Sequence, residues 1–395
     1  MTEIRASIII NNCNYGQFLK AAIDSALSQT YLHKEVIVVD DGSTDNSREI
    51  IAGSYGSRIV PVLKENGGQA SAFNAGFAVS RGEVVFFLDS DDMLLPTAVK
   101  NATKFFRISD VVKVHWPLWK IDKDGRKTGG VIPHGILAEG DLREKVLREG
   151  PTTHLSPPTT GNAWARRFLE RILPMPEAEY RISADSYLME LAPLFGKVKR
   201  ILKPQGFYRL HEGNNYAGKL FDEKLRHGVA LYSLFFCRMS KHCLNLGLIA
   251  DPEAWEQNSW FHRLDRATRE IAALIPPGDI FILVDEDNWG MDANSTRRPV
   301  PFLERDGQYW GKPADDVTAI REFERLRHSG ANFIVFGWPA FWWLDYYSGL
   351  HHHLRSAFPC VLQNDRLVVF DLRARLPDFH GSNKAKNGTQ RCKQI

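Results

Sequence analysis

The stretch Glu83-Val84-Val85-Phe86-Phe87-Leu88-Asp89-Ser90-Asp91-Asp92 runs an unbroken apolar segment straight into a cluster of carboxylates. An apolar run without alternation suits a strand buried on both faces, which is the habit of parallel sheets. The pattern recurs upstream, where Glu35 to Val39 is apolar and β-branched and leads into Asp40-Asp41-Gly42-Ser43. Working outward, Ala6 to Asn12 and Ile59 to Leu63 read as further strands. Gly16 to Gln29, Asp45 to Ala52 and Ala70 to Val79 carry helical spacing or caps. Strand and helix alternating at this interval predict an α/β fold, with a mostly parallel sheet and helices on both faces.

Open parallel sheets place ligands beyond the carboxyl ends of their strands. Both acidic clusters fall at such ends and are expected on one rim. Asp, Ser and Gly also serve as caps and turn residues, which would explain either cluster alone. Two clusters at matching strand ends point further. Crowded carboxylates repel unless a cation offsets them, and a hard divalent ion with oxygen ligands, Mg²⁺ or Mn²⁺, fits this donor set.

The ordered set of motifs resembles the family 2 glycosyltransferases. It comprises Ser7 to Tyr15, Ser28-Gln29-Thr30, Val39 to Asp45, Asn74-Ala75-Gly76, Gly82-Glu83 and Phe87 to Asp92, and it covers about the first hundred residues. The resemblance implies a GT-A fold, Rossmann-like in its sheet. It also implies a nucleoside-diphosphate-sugar donor, an acceptor hydroxyl, inversion, and Mn²⁺ or Mg²⁺. It places Asn11 and Asp89 against the donor nucleoside and ribose, Asp41 against the base, and Asp91 on the metal. A carboxylate at Asp41 can accept from uracil or thymine N3–H, and from guanine N1–H, whereas cytosine offers a lone pair there; this argues against cytidine more than it selects uridine, and a UDP-sugar is favoured. Asp185, in Ala184-Asp185-Ser186 at a helix start, falls where the family keeps the base that takes the acceptor proton; a dipole-stabilised helix residue is the plainer reading. His211 is expected at the metal or the diphosphate, with a buried structural histidine as the alternative, and Asn162 and Trp164 are expected on the acceptor side, with the core as the alternative for Trp164. The chain departs from many relatives at Phe73, where they carry Arg. Lys64, Arg209 and His211 are the candidates to replace its phosphate contact.

Bulk properties agree with such an enzyme and exclude little else. The formal charge of +3 over 395 residues gives no reason to expect nucleic acid. The five cysteines are scattered without a C-x-x-C pair, which argues against a disulfide framework or zinc. No signal peptide or membrane-spanning run is read, so a cytoplasmic protein is expected, with peripheral attachment at the inner membrane face left open. The sequons at Asn101, Asn294 and Asn387 mean little in that setting.

Four parts are expected: residues 1–219 as the GT-A catalytic domain, 220–275 as a helical linker region, 276–379 as a small C-terminal α/β domain, and 380–395 as a disordered tail. In the third, Asp285-Glu286-Asp287 is read as a solvated loop. The aromatics of Gln308 to Gly311 and Trp338 to Trp343 are read as mostly core, and His351-His352-His353 as surface. Ala163 to Ile172 is read as a helix. The functional expectation is sugar transfer in cell-surface polysaccharide or glycan synthesis. The alternatives are an inactive nucleotide-sugar-binding scaffold and, last, nucleotidyl transfer, which would want a Gly-rich basic loop after the first strand in place of Asn12 to Gly16.

Overall fold

The computed structural model describes residues 3–211, 220–291 and 297–375. The expected tail, the sequons at Asn294 and Asn387, and Cys392 lie outside them. The chain divides into two compact units, residues 1–217 with 231–259, and 218–230 with 260–395. The stretch expected as a linker is thus shared between both.

In the first unit the leading elements are β1 (Ala6–Asn12), α1 (Gly16–Leu27), β2 (Lys34–Asp41), α2 (Ser47–Ser54), β3 (Val60–Lys64), α3 (Gln69–Val79) and β4 (Val84–Asp89). They follow the expected alternation closely. Next come β5 (Met93–Leu94), α4 (Ala98–Thr103), β6 (Val111–His115), β7 (Leu118–Ile121), β8 (Lys127–Ile132) and α5 (Arg143–Glu149). β9 (Asn162–Ala165), α6 (Arg166–Ile172), α7 (Ala184–Phe195), β10 (Lys197–Arg200) and β11 (Gly206–Arg209) follow.

Seven strands form one sheet in the order β10-β6-β9-β4-β1-β2-β3. β1 pairs parallel with β2 and β4, and β2 parallel with β3. A second sheet orders β5-β11-β7-β8. β1 and β4 are apolar on both faces because helices cover both, and Ile8, Ile9, Ile10, Val85 and Leu88 are fully buried. Gly76 lets α3 lie close to the sheet, since a Cβ there would stand 2.3 Å from Ile9 Cγ2.

The segment Asn162–Ala165, expected as the start of a helix, is a strand. It inserts antiparallel between β4 and β6, pairing Trp164 with both Val85 and Lys113. Long-range ladder bonds override the local helical preference there.

The remaining helices are α8 (Phe221–Asn245), α9 (Pro252–Asn258) and α10 (Trp260–Leu274). The division between units falls within α8. The second unit then adds β12 (Ile280–Val284), β13 (Arg298–Pro301), β14 (Glu304–Arg305), β15 (Gln308–Tyr309), α11 (Asp316–His328) and β16 (Ala331–Gly337). It ends with α12 (Trp342–Tyr346), α13 (Ser348–Ala357), β17 (Cys360–Gln363) and β18 (Leu367–Asp371). Its sheet orders β13-β12-β16-β18-β17, parallel among the first three strands and antiparallel beyond.

Candidate active site

Strand register assembles the site. Asn11 stands opposite Asp89 and Asn12 opposite Asp40, so three parallel strands deliver their polar ends to one rim. Asn11 Nδ2 donates to Asp89 Oδ1 at 2.8 Å. Gln69, the first residue of α3, spans the rim: its Nε2 lies 3.4 Å from both Asp89 Oδ1 and Thr159 Oγ1, and its Oε1 accepts from Ala184 N at 2.9 Å. That amide opens α7, so one side chain ties the acidic strand end to the helix that carries Asp185.

The turn after β4 concentrates negative charge. Burial, then the charge of Asp91, holds the Asp89 carboxyl above the usual range. Burial and the charges of Asp91 and Asp89 do the same to Asp92. Asp92 Oδ1 accepts from Arg209 N at 2.9 Å, while its buried Oδ2 has no partner. Arg209 braces this turn from β11: Nε donates to the Asp91 carbonyl at 2.8 Å, and NH1 to the carbonyls of Asp122 and Lys123. Its guanidinium also lies over the Phe18 ring, 4.7 Å from the centroid. His211 Nε2 lies 3.0 Å from Asp91 Oδ2, with Tyr15 and Phe18 packed against the imidazole. Asp91 and His211, the two residues expected on the metal, are within hydrogen-bond distance of each other. Among the described residues, no three His, Cys, Asp or Glu side chains form a ready metal cluster.

Asp185 sits in the first turn of α7, partly accessible, and accepts from Thr159 Oγ1 at 3.2 Å. Burial raises its carboxyl above the ordinary value, and the hydrogen bonds from Thr159 and Ser186 only moderate the rise. A carboxyl shifted upward is a better proton acceptor than a free one.

Asp41 is 2% exposed, and both its oxygens are engaged by its own chain. Lys64 Nζ and Gly67 N donate to Oδ1 at 2.6 and 2.9 Å, and Gly68 N donates to Oδ2 at 2.7 Å. Gly68 has φ 89°, and a Cβ there would stand 2.7 Å from Arg181 Cα. A side chain at this position would displace the amide from Asp41. Asp40 is wholly buried; burial alone would raise its carboxyl, but bonds from Ser43, Arg48 and Asn12 outweigh it and hold the group low.

The acceptor-side expectation is corrected for Asn162, and for Trp164 the core alternative is the one observed. Asn162 is wholly buried, its amide donating to the carbonyls of Pro157, Pro158 and Thr159, so it shapes the loop beneath the site. Trp164 is 1% exposed and packs on Phe168 in the core. The departure at Phe73 also has a packing cause: the ring is fully buried and stacks on Phe87 with centroids 4.0 Å apart. Of the candidates to replace the missing Arg, Lys64 is held by Asp41 and Arg209 by backbone carbonyls.

Sequence reasoning missed Gln69, Thr159 and Tyr208. Burial raises the Tyr208 hydroxyl, and then, in order, so do the charges of Asp92, Asp91, Asp89 and Asp185. None of the three carries a motif; only their position next to the acidic strand ends identifies them.

The sequence profile described as Glycosyl transferase family 2 matches residues 7–170. An uncharacterized glycosyltransferase of Nostoc sp. is 38% identical over 216 residues, covering 54% of this chain and 67% of that protein. A chondroitin synthase of Pasteurella multocida is 43% identical over 229 residues, 57% of this chain but 22% of its own length. The crystal structure of S. aureus TarS 1-349 in complex with UDP-GlcNAc aligns with a TM-score of 0.48 and 17% identity, over 69% of this chain and 76% of that one. No helix among the described residues is long and apolar enough to cross a membrane.

Proposed function

This chain belongs to glycosyl transferase family 2, a glycosyltransferase of GT-A fold, and from that premise we propose that it moves a sugar with inversion from a UDP-sugar to a glycan hydroxyl. The observation that carries the proposal is the linkage of two sets of groups across one rim. Asp91 and His211 stand on one side and Asp185 on the other, joined through Asp89, Gln69 and Thr159.

The donor set fits a divalent cation. Asp91 Oδ2 and His211 Nε2 converge, and the neighbouring Asp89 and Asp92 carboxyls are both pushed toward the neutral form, first by burial and then by the like charges beside them, which a bound cation would offset. The Asp91 carboxylate suits Mn²⁺ or Mg²⁺, and an imidazole beside it favours Mn²⁺ of the two; Asp91 and His211 would be the protein ligands. When bound, the ion offsets the charge that develops on the departing diphosphate.

The chain's own residues do the rest. Asp89 and Asn11 position the ribose end of the donor. Asp41 fixes the backbone of Gly67 and Gly68 along the base; its Oδ2 receives a single hydrogen bond and keeps a lone pair for a uracil N3–H. Asp185 takes the proton of the acceptor hydroxyl as that oxygen attacks the anomeric carbon from the face opposite the diphosphate. Thr159 holds the Asp185 carboxylate in line. The relative named as a chondroitin synthase supports a glycan as acceptor and a place in polysaccharide assembly.

Calorimetric titration of the full chain with UDP, dTDP, GDP and CDP, each with and without Mn²⁺, tests this. Metal-dependent binding of UDP that is lost in Asp91→Ala is the expected result. Binding of no diphosphate would overturn the enzyme reading in favour of a scaffold, and preference for CDP would overturn the role of Asp41.

A further inference from the structure

The second unit has its own sheet with its own switch point. From β12 the chain moves to β13 on one side, and then returns across to β16 on the other. Open sheets place ligands beyond the strand carboxyl ends at such a reversal. The residues gathered there come from three segments: the loop after β12, the stretch after β15, and α12.

The loop after β12 is not the solvated turn expected of Asp285-Glu286-Asp287. Asp285 is 3% exposed, and its carboxylate accepts the amides of Asp287 and Trp289 at 3.1 and 2.8 Å. Those amides are the groups that would cradle a phosphate, and they are occupied by a carboxylate. An anionic ligand is excluded at this point. Glu286 has φ 56°, and its side chain is mostly covered. Its Oε1 accepts from Trp343 Nε1 at 2.7 Å and lies 3.4 Å from Lys312 Nζ. Lys312 in turn sits 4.6 Å from the centroid of the Trp342 ring. The place a ligand cation would take over that ring is thus filled by the protein itself.

Large rings remain open beside this polar anchor. Trp342 is 38% exposed and Tyr346 67%, with centroids 5.6 Å apart. Exposed aromatic faces next to a fixed carboxylate and an ammonium match a neutral pyranose, whose C–H face stacks on rings while its hydroxyls bond the polar groups.

We propose that Trp342, Tyr346, Glu286 and Lys312 form a second carbohydrate site, one that binds a neutral glycan chain independently of the donor. The sugar class leans on membership of a glycosyltransferase family, and neither the metal nor the base assignment enters.

The test is ligand-observed saturation-transfer NMR on the full chain, without nucleotide or metal. The probes are hexasaccharides of β-1,4-glucose, β-1,4-N-acetylglucosamine, α-1,4-glucose and mannose. At least one binds; Trp342→Ala and Tyr346→Ala each weaken it roughly tenfold or more; and Glu286→Gln, which preserves shape, weakens it too. Asp91→Ala and Asp185→Asn leave it unchanged. Binding of none of the four, binding indifferent to the ring substitutions, or binding lost in Asp91→Ala would each overturn the proposal. Failure of the diphosphate titration would sink the catalytic reading and leave this one standing.

Discussion

Lys113→Met should make the protein more stable at neutral pH. Lys113 lies in the middle of β6, 0% exposed, and burial pulls its ammonium from 10.5 down to about 7. Its Nζ donates to Ser156 Oγ at 2.8 Å and stands 5.3 Å from the Trp164 ring centroid. The ionisable groups around it are shifted the same way, toward neutrality: burial raises Glu190 and lowers His115 and His154, and Asp185 is raised as well. The folded state therefore gives up a proton that the unfolded chain keeps. The penalty is fully present below the folded value of about 7 and vanishes as pH rises toward 10.5. A shift of about 3.5 pKa units corresponds to roughly 4–5 kcal/mol. Methionine removes that penalty and forfeits one hydrogen bond worth about 1 kcal/mol, so a net gain on the order of 3 kcal/mol at pH 7 is expected. In a unit of this size that is a rise in Tm of about 6–12 °C. Thermal unfolding of both proteins at pH 7 and pH 10 measures it, and the gap should close at the higher pH. A Met variant less stable at pH 7, with a difference that does not change by pH 10, would refute the reasoning and show an ammonium that is charged and paired.

Asp185→Asn should cut turnover by roughly 10²- to 10⁴-fold with UDP affinity retained; undiminished steady-state turnover would remove Asp185 from the chemistry. Because burial raises the Asp185 carboxyl, the acid limb of kcat/KM should lie above the ordinary carboxylate value, activity falling as pH drops through it. A limb at or below 3.8 in a pH–rate profile contradicts that. Asp91→Asn should abolish metal-dependent UDP binding while Tm moves by only a few degrees, roughly 1 kcal/mol; collapse of the fold would mark Asp91 as structural. Gln69→Ala breaks the bridge from Asp89 to the start of α7 and should cost about 1 kcal/mol in stability with a larger fractional loss of kcat than of UDP affinity, and equal losses in both would show that Gln69 only supports the donor pocket.

β1, β2 and β4 were legible because each carries an apolar run that ends in a polar cluster, a pattern fixed by burial on two faces, whereas β3 is a largely exposed edge strand. The same logic placed Asn11, Asp41, Asp89 and Asp91 on one rim. β9 was not legible, since Asn162–Ala165 has no local strand signal and exists because β4 and β6 both pair with it. Asn162 looked like a ligand contact for the same reason: nothing in the sequence reveals three proline-loop carbonyls waiting for its amide. Lys113 reads as a solvent residue, and only the burial of β6 takes it from water. Asp285 reads as part of a polar loop, although its carboxylate organises the loop from inside. Long-range partners decide each of these, and a single sequence shows only neighbours along the chain.

Phe73 turns one such hidden partner into a constraint on the site. An Arg at that point of α3 would have to displace a ring stacked on Phe87 in the core, so the phosphate contact cannot simply be restored there. Lys64 is committed to Asp41, where it helps to fix the base-side wall. Arg209 spends its guanidinium on the carbonyls of Asp91, Asp122 and Lys123, which shapes the acidic turn and leaves little of its charge directed outward. His211 remains, and it is already at Asp91. With Lys64 held by Asp41 and Arg209 by backbone carbonyls, the diphosphate of the proposed donor would meet, among the described residues, an imidazole and clustered carboxylates that repel it. On electrostatic grounds such a site needs a bound cation more than a relative with the Arg would, and the proposal that metal is required for donor binding follows from where these side chains are already spent.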